Sequence, residues 1–250
     1  METIKTYRQF LKADRWDDWE ELDRDQEKKI PSPLPQKPYP EEATLIDLVA
    51  PKDLTVGEMP LREAIKRRKS HRKFTTEPLT LEELSFLLWA TQGVRAVTGG
   101  GTAVRRTVPS AGSRHPFETY LLVNRVSGLE PGLYRYLSIE HKLCFLYADA
   151  DLPERVSDGC LEQDFVGQGA VVFIWTVIAY RSEWRYSVLA HKMIAMDAGH
   201  LCQNLYLASE AIGAGTCAIG AYSQGKMDAI PDVDGKEEFV IYVAPVGKIR

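Results

Sequence analysis

Cysteine is scarce in this chain and follows no pattern. Cys144, Cys160, Cys202 and Cys217 form no CxxC pair and no disulfide-framework spacing, so neither a stapled secreted scaffold nor a thiolate metal site is indicated. Four buried small hydrophobes in a reducing cytoplasm fit this usage. No apolar run reaches the roughly 18–20 residues that a membrane-spanning helix needs. The first twenty residues also lack a signal-type apolar core, so no membrane partner is expected. Histidine is thin as well. His71, His115 and His141 are isolated, and His191 and His200, nine apart on a helix, face opposite sides. With no HxH or HExxH spacing, no metal site is expected. GxxxxGK[ST] and GxSxG are both missing, which removes the usual phosphate loop and serine nucleophile. An excess of positive charge is lacking too: the formal net charge is -4, which argues against a nucleic-acid binder.

What the chain does hold is an ordinary globular composition, 44% hydrophobic and 26% charged over 250 residues. Residues 1–59 stand apart as an N-terminal arm. Seven of the 14 prolines lie between Pro31 and Pro60, and proline's fixed φ and missing N–H predict an extended segment outside any central strand. Trp16 and Trp19 precede it, and such rings favour docking on the main body or on a partner subunit.

Residues 60–250 are regular. Leu61, Ala64 and Ile65 mark a short helix. Thr80-Leu-Glu-Glu83 is a capping box opening a helix that Gly93 stops. Residues 94–108 read as a glycine-rich loop. Strands are expected at 118–123, 132–137, 142–147, 170–179 and 239–247, the second and third as a hairpin. A long helix, apolar around most of its surface, is expected over 187–212, closed by Gly213. Helices and hairpin-linked strands together predict an α+β domain with a mixed sheet. Gly213-Ala-Gly-Thr-Cys-Ala218 matches the letters of a dinucleotide fingerprint. It leaves a helix for a strand, the reverse of what that site needs, so a Rossmann site is rejected.

Three stretches share one theme, the binding of a planar anion. IKRRKSHRKF (65–74) concentrates six Lys or Arg in a mildly acidic chain; arginine forks, lysine charge and a serine hydroxyl suit a phosphate. Taken alone, the stretch favours a solvated helix end over an anion site, since cations there also suit the helix dipole. TVPSAGSRHPF (107–117) is a turn with small polar groups and exposed backbone. GTCAIGAY (215–222) brings small residues into a turn that a ligand can approach closely.

In their order, RRKSHRKF, PSAGSRHPFE, DAGHLCQNLYLASEAIGAGTCAIGAY and APVG resemble the nitroreductase superfamily of FMN-dependent oxidoreductases, within it the SagB-type dehydrogenase branch. The resemblance covers about residues 60–250. It implies an α+β fold with a mixed, mainly antiparallel sheet flanked by helices, and an intertwined homodimer with FMN at the subunit interface. By position, Arg68, Lys69, Ser70 and Arg72 match the phosphate-and-ribityl motif, with Lys69 where Arg is common. Pro109, Ser110, Ala111 and Ser113 match the turn beside the flavin, with Ser113 where many members have Asn. Ile219, Gly220 and Ala221 match the segment whose backbone N–H approaches N5, and Lys248 and Arg250 resemble a C-terminal K-x-R at the phosphate. No catalytic side chain is implied, because the chemistry belongs to the cofactor. Tyr180, Arg185, Tyr186 and Tyr222 are candidates to line a substrate pocket, and structural aromatic packing explains each as well.

The implied activity passes electrons from NAD(P)H to a small acceptor such as a nitroaromatic or quinone, by a ping-pong route. Two alternatives stay open. One is a SagB-like dehydrogenase or oxidase acting on a peptide or protein, although Ala179 stands where azoline oxidases of that branch carry Lys. The other is a flavin-binding protein without turnover.

Overall fold

The computed structural model describes residues 2–250. After helix α1 (Glu2–Gln9), the elements in chain order are β1 (Leu45–Asp47), α2 (Leu61–Arg67), α3 (Leu81–Gln92), β2 (Val94–Thr98) and β3 (Ala103–Arg106). There follow β4 (Phe117–Val123), β5 (Gly132–Leu137), β6 (Lys142–Tyr147), α4 (Leu152–Gly159) and β7 (Val171–Ile178). The chain ends with α5 (Tyr180–Tyr186), α6 (Ala190–Ala211), β8 (Ala214–Thr216), α7 (Gln224–Asp228) and β9 (Glu238–Lys248).

Seven strands form one sheet in the order β1-β6-β5-β4-β7-β9-β8, every ladder antiparallel. Its interior strand β7, between β4 and β9, is an apolar run because both of its faces are covered. Phe173, Trp175 and Val177 join Leu121 on β4, Leu84, Leu87 and Leu88 on α3, and Leu201 and Leu205 on α6. Val172 and Ile174 point the other way, to Tyr120, Leu122, Val156 on α4 and Met227 on α7. This is the period-2 alternation of a strand, read on two hydrophobic layers at once. Truncating one such buried leucine to alanine costs about 2–5 kcal/mol.

The capping box is formed on both sides: the Glu83 amide donates to Thr80 Oγ1 at 3.1 Å, and the Thr80 amide to Glu83 Oε2 at 2.9 Å. Residues 94–108 differ from the expected loop. They form a two-stranded hairpin, β2 on β3, with Val97 opposite Val104 and Gly99–Gly101 in the turn. Three successive glycines in the turn mask the β-branched residues on either side. The long helix also starts later than expected. Residues 180–186 make the separate helix α5, and Ser187, at φ 48° and ψ -133°, breaks the chain before α6.

The proline-rich stretch lies along the body and is held by groups from across the fold. Arg106 Nη2 donates to Pro35 O at 3.0 Å and Arg135 Nη2 to Pro38 O at 2.8 Å. The Lys37 amide donates to Glu118 Oε1 at 2.7 Å, and its ammonium pairs with Glu238 at 2.6 Å. Residues 45–47 then add an edge strand to β6, the sheet position that proline-rich chain tolerates.

Candidate functional site

The basic stretch begins at the C-terminal end of α2 and runs as a loop across the edge of the sheet. The His71 amide donates to Thr216 O at 2.9 Å and the Thr75 amide to Lys248 O at 2.8 Å, pinning the loop to β8 and β9. Its side chains border a cleft of about 550 Å³ lined by Lys69, His71, Arg72, Lys73, Phe74, Thr75, Gln168, Ile249 and Arg250. Four cations and no carboxylate side chain line this space. Among the described residues, the one contact of residues 68–73 with a carboxylate is that of His71 with Glu210, Nε2 to Oε1 at 3.3 Å. Arg68, Lys69, Arg72 and Lys73 are left with uncommitted charge. Such a donor set fits a phosphate ester. Arg68 lies over the Tyr206 ring at 5.4 Å and Arg72 over Phe165 at 5.9 Å, which restricts both guanidinium groups.

Tyr206, on α6, joins this loop to the 217–222 segment. Its hydroxyl is 3.0 Å from Ser70 Oγ and accepts the Ala218 amide at 2.9 Å. The Ile219 amide is committed to Val243 O at 2.7 Å, and Ile219 O accepts the Val243 amide at 3.2 Å. Of the three residues matched by position, Ile219 therefore has no amide to offer, while Gly220 and Ala221 are exposed.

The Pro109–Ser113 turn hangs from the same helix by a different side chain. Ser110 Oγ donates to Asp197 Oδ2 at 2.6 Å, and the Ala111 amide donates to the same oxygen at 3.1 Å. Burial raises the Asp197 carboxyl above its ordinary range, while the bonds from Ser110 and Ala111 oppose that rise. The Ser110 oxygen also accepts the His115 amide at 2.9 Å, so the freely presented hydroxyl of the turn is that of Ser113. Gly112, at φ +55°, makes the bend where Tyr186 and Arg185 pack: a Cβ there would lie 2.6 Å from the Tyr186 hydroxyl and 2.9 Å from Arg185 Cδ.

The candidate residues thus fall into two groups. Lys69, Arg72 and Arg250 line the cleft, while Arg68 and Ser70 of the same loop meet Tyr206, which joins them to the segment before Gly220 and Ala221. Pro109, Ser110, Ala111 and Ser113 gather with Arg185 and Tyr186. Tyr180 borders the second group, its hydroxyl donating to Asp25 Oδ2 at 2.8 Å. Tyr222 belongs to neither; its hydroxyl donates to Val240 O at 2.9 Å and burial pushes it up to about 12. Lys248 stands apart from both groups. Its ammonium turns inward to Glu83 and donates to Ile212 O at 2.9 Å, because a carboxylate buried at the start of α3 attracts it more directly than open solvent does. Lys73 and Gln168 of the cleft, and the anchors Tyr206 and Asp197, escaped the sequence reading. A tyrosine and an aspartate inside a helical pattern carry no local signal of what they touch.

The profile of the Nitroreductase family matches residues 65–248. A Methanocaldococcus jannaschii protein described as a nitroreductase is 31% identical over 193 residues, covering 77% of this chain and 93% of that protein. The trifolitoxin-processing protein TfxB of Rhizobium leguminosarum is 31% identical over 117 residues, 45% of this chain and 31% of that protein. Among solved structures, a nitroreductase of Ralstonia eutropha superposes with a TM-score of 0.67 at 27% identity, over 88% of this chain and 95% of that one. The fold is shared with the Escherichia coli microcin synthetase McbBCD bound to a truncated pro-peptide, at TM-score 0.61 and 17% identity over 86% and 78% of the chains. It is shared also with the NADPH:FMN oxidoreductase of Vibrio harveyi in complex with NAD+, at TM-score 0.53 and 18% identity over 75% and 68%. Together with an α+β fold whose antiparallel sheet is flanked by helices, these matches establish that the chain belongs to the nitroreductase family of oxidoreductases.

Proposed function

We propose that this protein is an FMN-dependent oxidoreductase that passes electrons from NAD(P)H to a small acceptor, a quinone, a nitroaromatic or a similar electrophile. The observation that carries the reading is the cation-lined cleft, tied through Tyr206 to the backbone segment that ends at Gly220. Arg68, Lys69, Ser70, Arg72 and Arg250 would hold the phosphate and ribityl chain. The exposed backbone of Gly220 and Ala221 would face the ring, and the Pro109–Ser113 turn of a second chain would border it, which makes the active form a homodimer. Bound FMN would supply hydride acceptance at N5 and electron transfer to the second substrate. The protein would contribute binding, orientation and positive charge. NAD(P)H would visit transiently, since the described residues form no dedicated dinucleotide fold.

The test is uptake of FMN by the purified protein and its loss in the Arg68→Ala, Arg72→Ala double variant. Each charge-assisted phosphate bond is worth about 1.5–3 kcal/mol, so the variant should bind FMN at least tenfold more weakly. A colourless protein that takes up no FMN would sink the reading. One observation favours a second reading, action on a peptide: the 31% identity to TfxB. Stopped-flow reduction separates the two. A reductase of free acceptors bleaches its flavin on mixing with NADH or NADPH alone, whereas a peptide dehydrogenase stays yellow until its peptide is added.

A further inference from the structure

The arm lies outside the matched family region, yet it grips the helix that borders the flavin-side turn. Along α5, the Tyr180 hydroxyl donates to Asp25 Oδ2 at 2.8 Å, the Gln26 amide donates to Trp184 O at 2.9 Å, and Trp184 Nε1 donates to Ile30 O at 2.9 Å. Arg114, directly after the turn, joins all three pieces. Its Nε donates to Arg181 O at 2.7 Å, its Nη2 to Ser32 Oγ at 2.8 Å, and its guanidinium covers the Trp184 ring at 4.7 Å. Beyond the end of α5, Trp16 and Trp19 stack at 5.1 Å, and both rings stand about 6 Å from Tyr186. Arg24 caps the stack, its guanidinium 3.7 Å from the Trp19 centroid.

Tyr186 is therefore held from two sides, with tryptophans on its ring and the bend at Gly112 against its hydroxyl. Arg185 beside it has a buried Nε with no hydrogen-bond partner. Among the described residues its guanidinium has no ion-pair partner, and it lies 5.5 Å from the centre of the Tyr186 ring. An aromatic wall beside an uncommitted guanidinium is what a flat, conjugated molecule bearing carbonyl or nitro oxygens would meet.

We propose that residues 14–32 of the arm are part of the acceptor site, and that Trp16 and Trp19 are positioning residues which hold Tyr186 and Arg185 against the Pro109–Ser113 turn for a planar, oxygen-bearing acceptor. This rests on the flavin reading above. For a quinone the balance is one hydride equivalent from NAD(P)H and one proton from solvent, giving the hydroquinone and NAD(P)+. The arm supplies no atom to that exchange; it sets how well the acceptor is held.

The experiment compares two acceptors on the FMN-loaded protein, a naphthoquinone, which needs a pocket, and ferricyanide, which does not. In Trp16→Ala and Trp19→Ala, KM for the naphthoquinone should rise about tenfold, while FMN affinity and ferricyanide turnover stay within about twofold; Trp19→Phe should restore the quinone KM. Should either alanine variant misfold, Arg185→Met, which leaves Trp16, Trp19 and Tyr186 in place, should raise the same KM with FMN binding retained. An unchanged quinone KM in these variants, or equal losses with both acceptors, overturns the proposal. A wild-type protein that binds no FMN overturns the flavin reading itself, and this proposal with it.

Discussion

Asp197 and Tyr206 stand nine residues apart on α6, and so project from opposite faces of the helix, about 13 Å apart along its axis. Asp197 holds the Pro109–Ser113 turn and Tyr206 holds the basic loop. One helix thus carries two half-sites that face away from each other. A single chain has its own helix between its cation cleft and the Pro109–Ser113 turn, so under the proposed reading a second chain would supply the missing half by symmetry.

That arrangement predicts complementation between defective chains. Chains with Arg68→Ala and Arg72→Ala lack the cleft, and chains with Gly112→Val lose the turn, where φ is +55° and a side chain meets Tyr186. Each should bind little FMN alone. Co-expressed, they should recover one working site per mixed dimer, seen as flavin absorbance and turnover. No recovery would mean that both halves come from one chain.

Lys248 separates a structural cation from a ligand-binding one. Its ammonium serves Glu83, the N3 residue of the α3 capping box. Lys248→Met leaves a buried carboxylate without its cation and should cost about 1–3 kcal/mol in urea unfolding. FMN affinity should change by less than about threefold. A drop as large as that of the arginine variants would return Lys248 to the phosphate.

Tyr206→Phe keeps the ring under Arg68 and removes only the hydroxyl that joins Ser70 to the Ala218 amide. Two hydrogen bonds at about 1 kcal/mol each put the expected loss near 1–2 kcal/mol. FMN affinity should fall with it, because the loop and the Gly220 segment lose their common anchor. Titration with FMN at matched folded fractions checks this.

His115 sets an acid limit. Burial, with Arg106 and then Arg114 nearby, pushes its imidazole down to about 3. The folded state therefore holds it neutral where the unfolded chain would protonate it. The corresponding stability is fully present above about pH 6.5 and is lost progressively as pH falls toward 3, amounting to about 3–5 kcal/mol at the acid end. His115→Asn, a residue that tolerates the positive φ of 46° here, should show a flatter decline in urea midpoint from pH 7 to 4. Parallel declines would show that other groups govern acid unfolding.

Much of the architecture was open to reading from local pattern. The continuous apolar run of β7 and the hairpin spacing of β5 and β6 stated their pairing requirements directly. So did Thr80 and Glu83, whose reciprocal bonds need only residues three apart. The order RRKSHRKF, PSAGSRHPF, GTCAIGAY carried the family. Less legible were the hairpin over 94–106, whose three glycines mask two short strands, and α5, which the strained Ser187 cuts from α6.

The site divides along the same line. Residue type and spacing were enough to establish which stretches carry cations, small turns and close-approach backbone, because those properties travel with the residues themselves. Direction and partnership came from the fold. Packing turned Lys248 inward to Glu83 and used up the Ile219 amide on Val243. It also brought Asp197 to the Pro109–Ser113 turn and Tyr206 to the basic loop, and laid Trp16 and Trp19 on a tyrosine some 170 residues away. Such contacts depend on which distant groups share a low-dielectric interior, and no local pattern encodes that sharing.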